Sequence, residues 1–143
     1  MMTAQNYRDT QILTASPMEL IIMLYEEGIR TLRNAEAAFE LEGPERLQEI
    51  NNNLLHAEDI ITELAVALDI EKGGQIALNL QRLYDFMLSH LSRANMQKVL
   101  RPVVEVRELL TELRDTWRQV GEKEPKKDIA AATADAANIS MAG

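Results

Sequence analysis

Residues 47–68 read LQEINNNLLHAEDIITELAVAL. Within them Leu47, Ile50, Leu54, Ala57, Ile61, Leu64 and Leu68 recur at intervals of three and four without a miss. On a helix a residue shares its face with its third and fourth successors, so this spacing predicts one long amphipathic helix with a heptad-like seam. Pro44 opens it, and the chain breaks after it at Lys72-Gly73-Gly74.

The flanking sequence repeats the pattern. Upstream, Ser16 is a capping residue, Pro17 suits the first helical position and Glu19 completes a capping box. That helix is expected to reach about Leu41 and to stop at Glu42-Gly43-Pro44. Downstream, a third helix is expected over about 75–95. A fourth, led in by Pro102, carries the seam Val103, Val106, Leu110, Leu113, Trp117 and Val120, with Trp117 in the core. Short connectors between long helices make neighbours antiparallel. The predicted fold is therefore all-α, an antiparallel up-down four-helix bundle with a short extra N-terminal segment. The bundle domain spans 1–121. Residues 1–15 are mostly polar, with Tyr7, Ile12 and Leu13 as apolar anchors, and 122–143 read as a disordered Ala-rich tail.

Composition narrows the function. Apolar residues make up 46% and aromatics 4%, which favours aliphatic helix packing over a sandwich or barrel. No cysteine is present, so there is no disulfide framework or thiolate site, and a reducing cytoplasmic location is expected. A net charge of −8 repels phosphates and argues against nucleic acid or anionic lipid as the main partner. No apolar run approaches the roughly 20 residues that span a bilayer, and the N-terminus lacks the apolar stretch of a signal peptide.

The apolar residues are unevenly spread. On the fourth helix they fall in a stripe of roughly 120°. On the third, Phe86, Leu83, Ile76, Met87, Leu80, Leu91, Tyr84, Ala77 and Leu88 cover an arc of roughly 200°, with Leu78 beyond it. The first helix is similarly broad, and the second places Leu55 and Val66 away from its seam. Large exposed apolar patches are rare on monomers, so a surplus predicts a groove for a partner helix or peptide. The expected partner-binding residues are Tyr7, Ile12, Leu13, Ile22, Tyr25, Leu55, Val66, Leu78, Tyr84, Met87, Leu88 and Leu91. In the free protein the N-terminal anchors are expected to lie over part of that groove.

Three blocks carry a family resemblance. The first is Tyr7, LTASPMEL at 13–20 and MLYEEG at 23–28. The second is Glu71 to Asn95, containing GGQIALNL at 73–80 and LYDFM at 83–87. The third is Glu105-Val106, Leu109-Leu110 and LRDTW at 113–117. In this order and spacing, across residues 7–120, they resemble the flagellar secretion chaperone family FliS. The resemblance implies a cytoplasmic, non-enzymatic chaperone. It would bind the C-terminal segment of newly made flagellin, prevent premature polymerisation and deliver flagellin to the export apparatus. It also implies FlgM and the export-gate protein FlhA as further partners, a mobile N-terminal segment over residues 1–15, and a monomer or weak dimer when free.

Enzymatic alternatives find little support. A di-iron bundle needs paired Glu-x-x-His motifs. Asn53 and Met87 stand where His56 and His90 would need glutamate. No metal, cofactor or catalytic residue is expected. A histidine phosphotransfer module built on His90 is the competing functional class; an adaptor bundle for another export client is the other alternative.

Overall fold

The first helix begins where its cap predicts. In this computed structural model, which describes residues 16–123, the Ser16 hydroxyl accepts a hydrogen bond from the Glu19 amide at 3.2 Å, and Pro17 follows at the first helical position. Four helices account for the architecture: α1 Pro17–Ala38, α2 Pro44–Val66, α3 Ile70–Gln97 and α4 Arg101–Lys123. No strand occurs among the described residues. α1 stops three residues before Leu41 because its last turn tightens: the amides of Phe39, Glu40 and Leu41 each donate to the carbonyl three residues back.

α3 starts earlier than its sequence signal. The Asp69 carboxylate accepts from the Lys72 amide at 3.1 Å and opens a helical turn ahead of the glycines. The break falls on one residue, Gly74, at φ 58° and ψ −136°. That conformation excludes a Cβ at little strain, so only glycine serves there. At its other end α3 closes on Lys98 in the left-handed region, and the Val99 amide returns to the Ala94 carbonyl at 3.1 Å.

α1 packs on α2 and α4, and α3 packs on the same two neighbours. The section is thus a square, with α1 and α3 across one diagonal. Cross-helix pairs give the direction. Glu26 meets Arg118 at 2.6 Å, while Glu36, ten residues on, meets Arg107 at 2.5 Å. Numbers rise on α1 as they fall on α4, so the two run antiparallel. Gly28 permits the close approach at this corner, since a Cβ there would sit 3.2 Å from Leu110 Cδ1.

The predicted α4 seam is buried throughout, from Val103 to Val120. On α2, Ile50, Leu54, Ala57, Ile61 and Leu64 are buried, but Leu47 is 51% exposed because it lies in the first turn, at the bundle's end. Most of the α3 arc is used internally. Ala77, Leu80, Tyr84, Met87 and Leu91 are buried, and Ile76, Leu83 and Leu88 pack onto the core. In a square bundle each helix faces two neighbours and a diagonal, so a wide apolar arc need not reach solvent.

At the centre, the hydroxyls of Tyr25 and Tyr84 hydrogen-bond across the α1–α3 diagonal, and the Tyr25 ring lies 6.1 Å from Trp117, centroid to centroid. Burial pushes the Tyr25 phenol from 10.0 up to about 12, against the lowering effect of Tyr84 and Trp117. Tyr84 is held well above its ordinary value, first by burial and then by Tyr25. An acid whose folded pKa is raised stabilises the fold fully below its unfolded pKa and loses that contribution as pH climbs through the folded value. Stability to urea is therefore expected to fall between about pH 10 and 12. The pair also predicts a non-additive cycle. Tyr25→Phe or Tyr84→Phe alone orphans a buried hydroxyl and costs about 1–3 kcal/mol, whereas the double variant costs less than the sum of the two.

Candidate functional site

The twelve residues expected to meet a partner have four fates. Tyr7, Ile12 and Leu13 lie outside the described residues. Tyr25, Tyr84, Met87 and Leu91 are buried, each at most 1% exposed, inside the square of helices. The Tyr84 hydroxyl, expected to meet a client, is taken by Tyr25. Ile22 and Leu88 are half-buried and pack on the core, and Leu78 is half-buried. Leu55 and Val66 remain at the surface, 48% and 79% exposed.

Helix geometry places Leu55 and Val66 relative to α3. Asn51 of α2 accepts a hydrogen bond from Asn95 of α3 at 2.9 Å, so Asn51 marks the α3-facing flank. Leu47 and Leu55, one turn before and after it, share that flank, and Val66 lies three turns beyond Leu55. Across the seam, Leu88 is two turns before Asn95 on the matching flank of α3. Exposed aliphatic side chains therefore punctuate this side of α2 from Leu47 to Val66, roughly 28 Å at 1.5 Å per residue, with the polar Asn51, Glu58 and Thr62 between them. Glu58 lies on the same flank as Asn51, and its carboxyl is raised by burial and then by neighbouring Asp59.

The strip is continuous with an apolar end. The α1–α2 and α3–α4 connections meet at one end of an antiparallel bundle, and there Leu41, Met96, Val99 and Leu100 join Leu47 at the surface. Met96 is 79% exposed. The sequence reading missed this end, because periodicity assigns residues to faces and is silent on where a helix runs out of neighbours. Phe86, read as part of the α3 arc, is also exposed and stacks on His90 at 4.8 Å between centroids.

Both histidines are engaged by carboxylates through Nε2. His90 Nε2 lies 2.8 Å from Glu105 and its Nδ1 accepts from Arg93 at 2.9 Å. This contact with His90, and then Arg101, holds the Glu105 carboxyl below its ordinary value. His56 lies 3.3 Å from Glu27. Among the described residues no group of three His, Cys, Asp or Glu side chains could hold a metal ion, and no helix is long and apolar enough to cross a membrane. What the surface offers is aliphatic area on rigid helices.

Comparison with known proteins accords with that reading. The family model described as flagellar protein FliS matches residues 1–124. The flagellar secretion chaperone FliS of Bacillus subtilis (strain 168) is 32% identical over 120 residues, covering 84% of this chain and 86% of that protein. The corresponding chaperone of Vibrio cholerae serotype O1 is 34% identical over 112 residues, with 78% and 80% covered. Flagellar secretion chaperone FliSB of Pseudomonas aeruginosa is 36% identical over 109 residues, with 76% and 84% covered. The match spans all four helices and both connections that form the apolar end, and on this ground the chain belongs to the flagellar protein FliS family.

Proposed function

We propose that this protein is a cytoplasmic flagellar export chaperone that binds the C-terminal segment of flagellin, prevents its premature polymerisation and delivers it to the export apparatus. Membership of the FliS family supports the chaperone role. The observation that carries the binding reading is the strip of separate exposed aliphatic side chains on α2, Leu47, Leu55 and Val66, with half-buried Leu88 on α3 and the apolar end beside Leu47. Such a strip is about as long as a five-turn helix, and an amphipathic client segment can lay its apolar face along it. Chaperoning of this kind needs buried area and no reacting group. A client that orders on binding gives back part of the interaction energy as lost entropy, so affinity stays moderate and release at the export gate stays feasible. The proposed role for Tyr7, Ile12 and Leu13 is to cover part of this surface in the free protein, which lowers apparent affinity by the fraction of time it is closed. FlgM and FlhA are further proposed partners, and a monomer or weak dimer is the proposed free state.

Calorimetric titration of a flagellin C-terminal peptide into the full chain tests the reading. Saturable heat, a negative heat-capacity change and a gain of helicity by circular dichroism are expected. An absence of heat together with unchanged helicity would remove flagellin as the client.

A further inference from the structure

α2 and α4 both end at the end of the antiparallel bundle opposite the apolar one. Gly121 of α4 marks that place, since a Cβ there would sit 3.1 Å from Met18 in the first turn of α1. Val66, 79% exposed, stands there on α2, across the diagonal from Lys123, the last residue of α4. Leu55, 48% exposed, lies on the same flank eleven residues back, about 16 Å away. Between them the flank carries Glu58 and Thr62, so two aliphatic anchors bracket a polar middle. The sequence that follows Lys123 holds a matching pattern. Asp128 is a capping residue, and Ile129, Ala132, Ala136 and Ile139 come after it at helical spacing on one face. Ile129 and Ile139 are ten residues apart, about 15 Å on a helix, with only alanine between them on that face.

We infer that residues 128–139 dock as a helix on the α2–α3 edge of their own chain, with Ile129 beside Val66 and Ile139 beside Leu55. The segment then covers the surface that the chaperone reading gives to the client, and its regulatory consequence rests on that reading. The connection is long enough. Neighbouring helix axes lie about 8–10 Å apart, so the diagonal of the square is about 11–14 Å, while the six residues from Lys123 to Ile129 reach about 20 Å. Pro125 favours a stop just past the end of α4. Lys126 and Lys127 fall in the crossing, and Glu63 and Glu71 beside it make no ion pair among the described residues. A helix this short is marginal alone in water and needs a surface to pack on. Alanines in the middle of its face leave room for Glu58 and Thr62, while the two isoleucines meet the aliphatic anchors. Tethering holds the segment at an effective concentration of about millimolar, so a weak contact suffices.

The chain has no cysteine, so a single introduced thiol can carry a spin label. In the isotopically labelled full chain, a label on Ser140→Cys is expected to broaden amides of 52–59 on α2 most strongly, and a label on Ala130→Cys those of 62–70. The broadening should persist on dilution. It should vanish in Leu55→Asp/Val66→Asp and in Ile129→Asp/Ile139→Asp, with the melting temperature within a few degrees of the parent. Ile129→Asp/Ile139→Asp should also bind the flagellin peptide about threefold or more tightly, because the surface is no longer closed part of the time. Absent or uniform broadening overturns the inference, as does broadening centred on the α1–α4 or α3–α4 edge. Broadening that fades on dilution gives the segment to a second copy and overturns it too. So does a flagellin affinity raised by Ile12→Asp/Leu13→Asp but not by the Ile129/Ile139 variant, which gives the cover to the N-terminal segment. Localised broadening with no flagellin heat in any variant removes the chaperone reading and leaves the docked segment standing.

Discussion

Leu55→Asp/Val66→Asp is expected to weaken binding of a flagellin C-terminal peptide by about 100-fold or more while leaving the melting temperature within a few degrees of the parent. The two effects separate because of where these side chains sit. Leu55 and Val66 are 48% and 79% exposed, so charging them disturbs little of the core. Exposed substitutions away from special features usually move stability by about half a kcal/mol or less. In a complex the same positions would be covered by the client. Burying a Leu or Val side chain contributes about 1.5–3 kcal/mol, and a carboxylate in its place faces apolar surface without a counter-charge. Two such losses make about 3 kcal/mol a modest expectation, which is the stated factor. Calorimetry on the variant with the same peptide reads the first quantity and thermal unfolding reads the second. Undiminished affinity would move the client site off the α2–α3 edge. The choice of these two residues over Leu88 is deliberate: Leu88 packs onto the core, so its replacement would confound binding with folding.

Trp117→Ala is expected to be the most damaging single truncation in the bundle, costing about 3–5 kcal/mol and lowering the melting temperature by roughly 10–15 °C. Trp117 is 1% exposed and heads the fully buried side chains by size. It projects from α4 beside Tyr25 of α1, at the level where Tyr25 reaches across to Tyr84 of α3. Removing the indole opens a cavity where side chains of three helices meet, and helices fixed by several neighbours cannot readily collapse inward to fill it. Its Nε1 has no hydrogen-bond partner among the described residues, so the loss is one of packing. Trp117→Phe, which keeps an aromatic ring and adds no polar group, should cost much less. Far-UV circular dichroism with urea measures both, since the chain's one tryptophan cannot then report on itself. Equal costs for Ala and Phe would show that the site collapses freely and that the aromatic cluster is not a keystone.

The sequence was most legible where residues follow a single period between clear stops. The α4 seam, the Ser16 cap and the α2 seam from Ile50 to Leu64 could each be read locally, because capping and amphipathicity are properties of adjacent turns. The candidate site was less legible. Tyr25, Tyr84, Met87 and Leu91 looked like surplus on wide arcs, yet the square arrangement gives α1 and α3 a diagonal as well as two sides, and that space absorbs them. Conversely, Leu47 looked like seam and is open, since the first turn of α2 extends past the end of its neighbours' cover. Leu41, Val99 and Leu100 sit at turns, where no periodicity exists to read, and Met96 lies in the last turn of α3.

Taken alone, the order of residues determined that four amphipathic helices form, where their caps and breaks fall, and which family's blocks they carry. Those outcomes depend on neighbours a few positions apart. The tertiary structure decided which apolar side chains are spent on the core and which remain at the surface. Exposure is a property of what lies opposite a side chain in space, and a helical repeat fixes only the direction in which that side chain points.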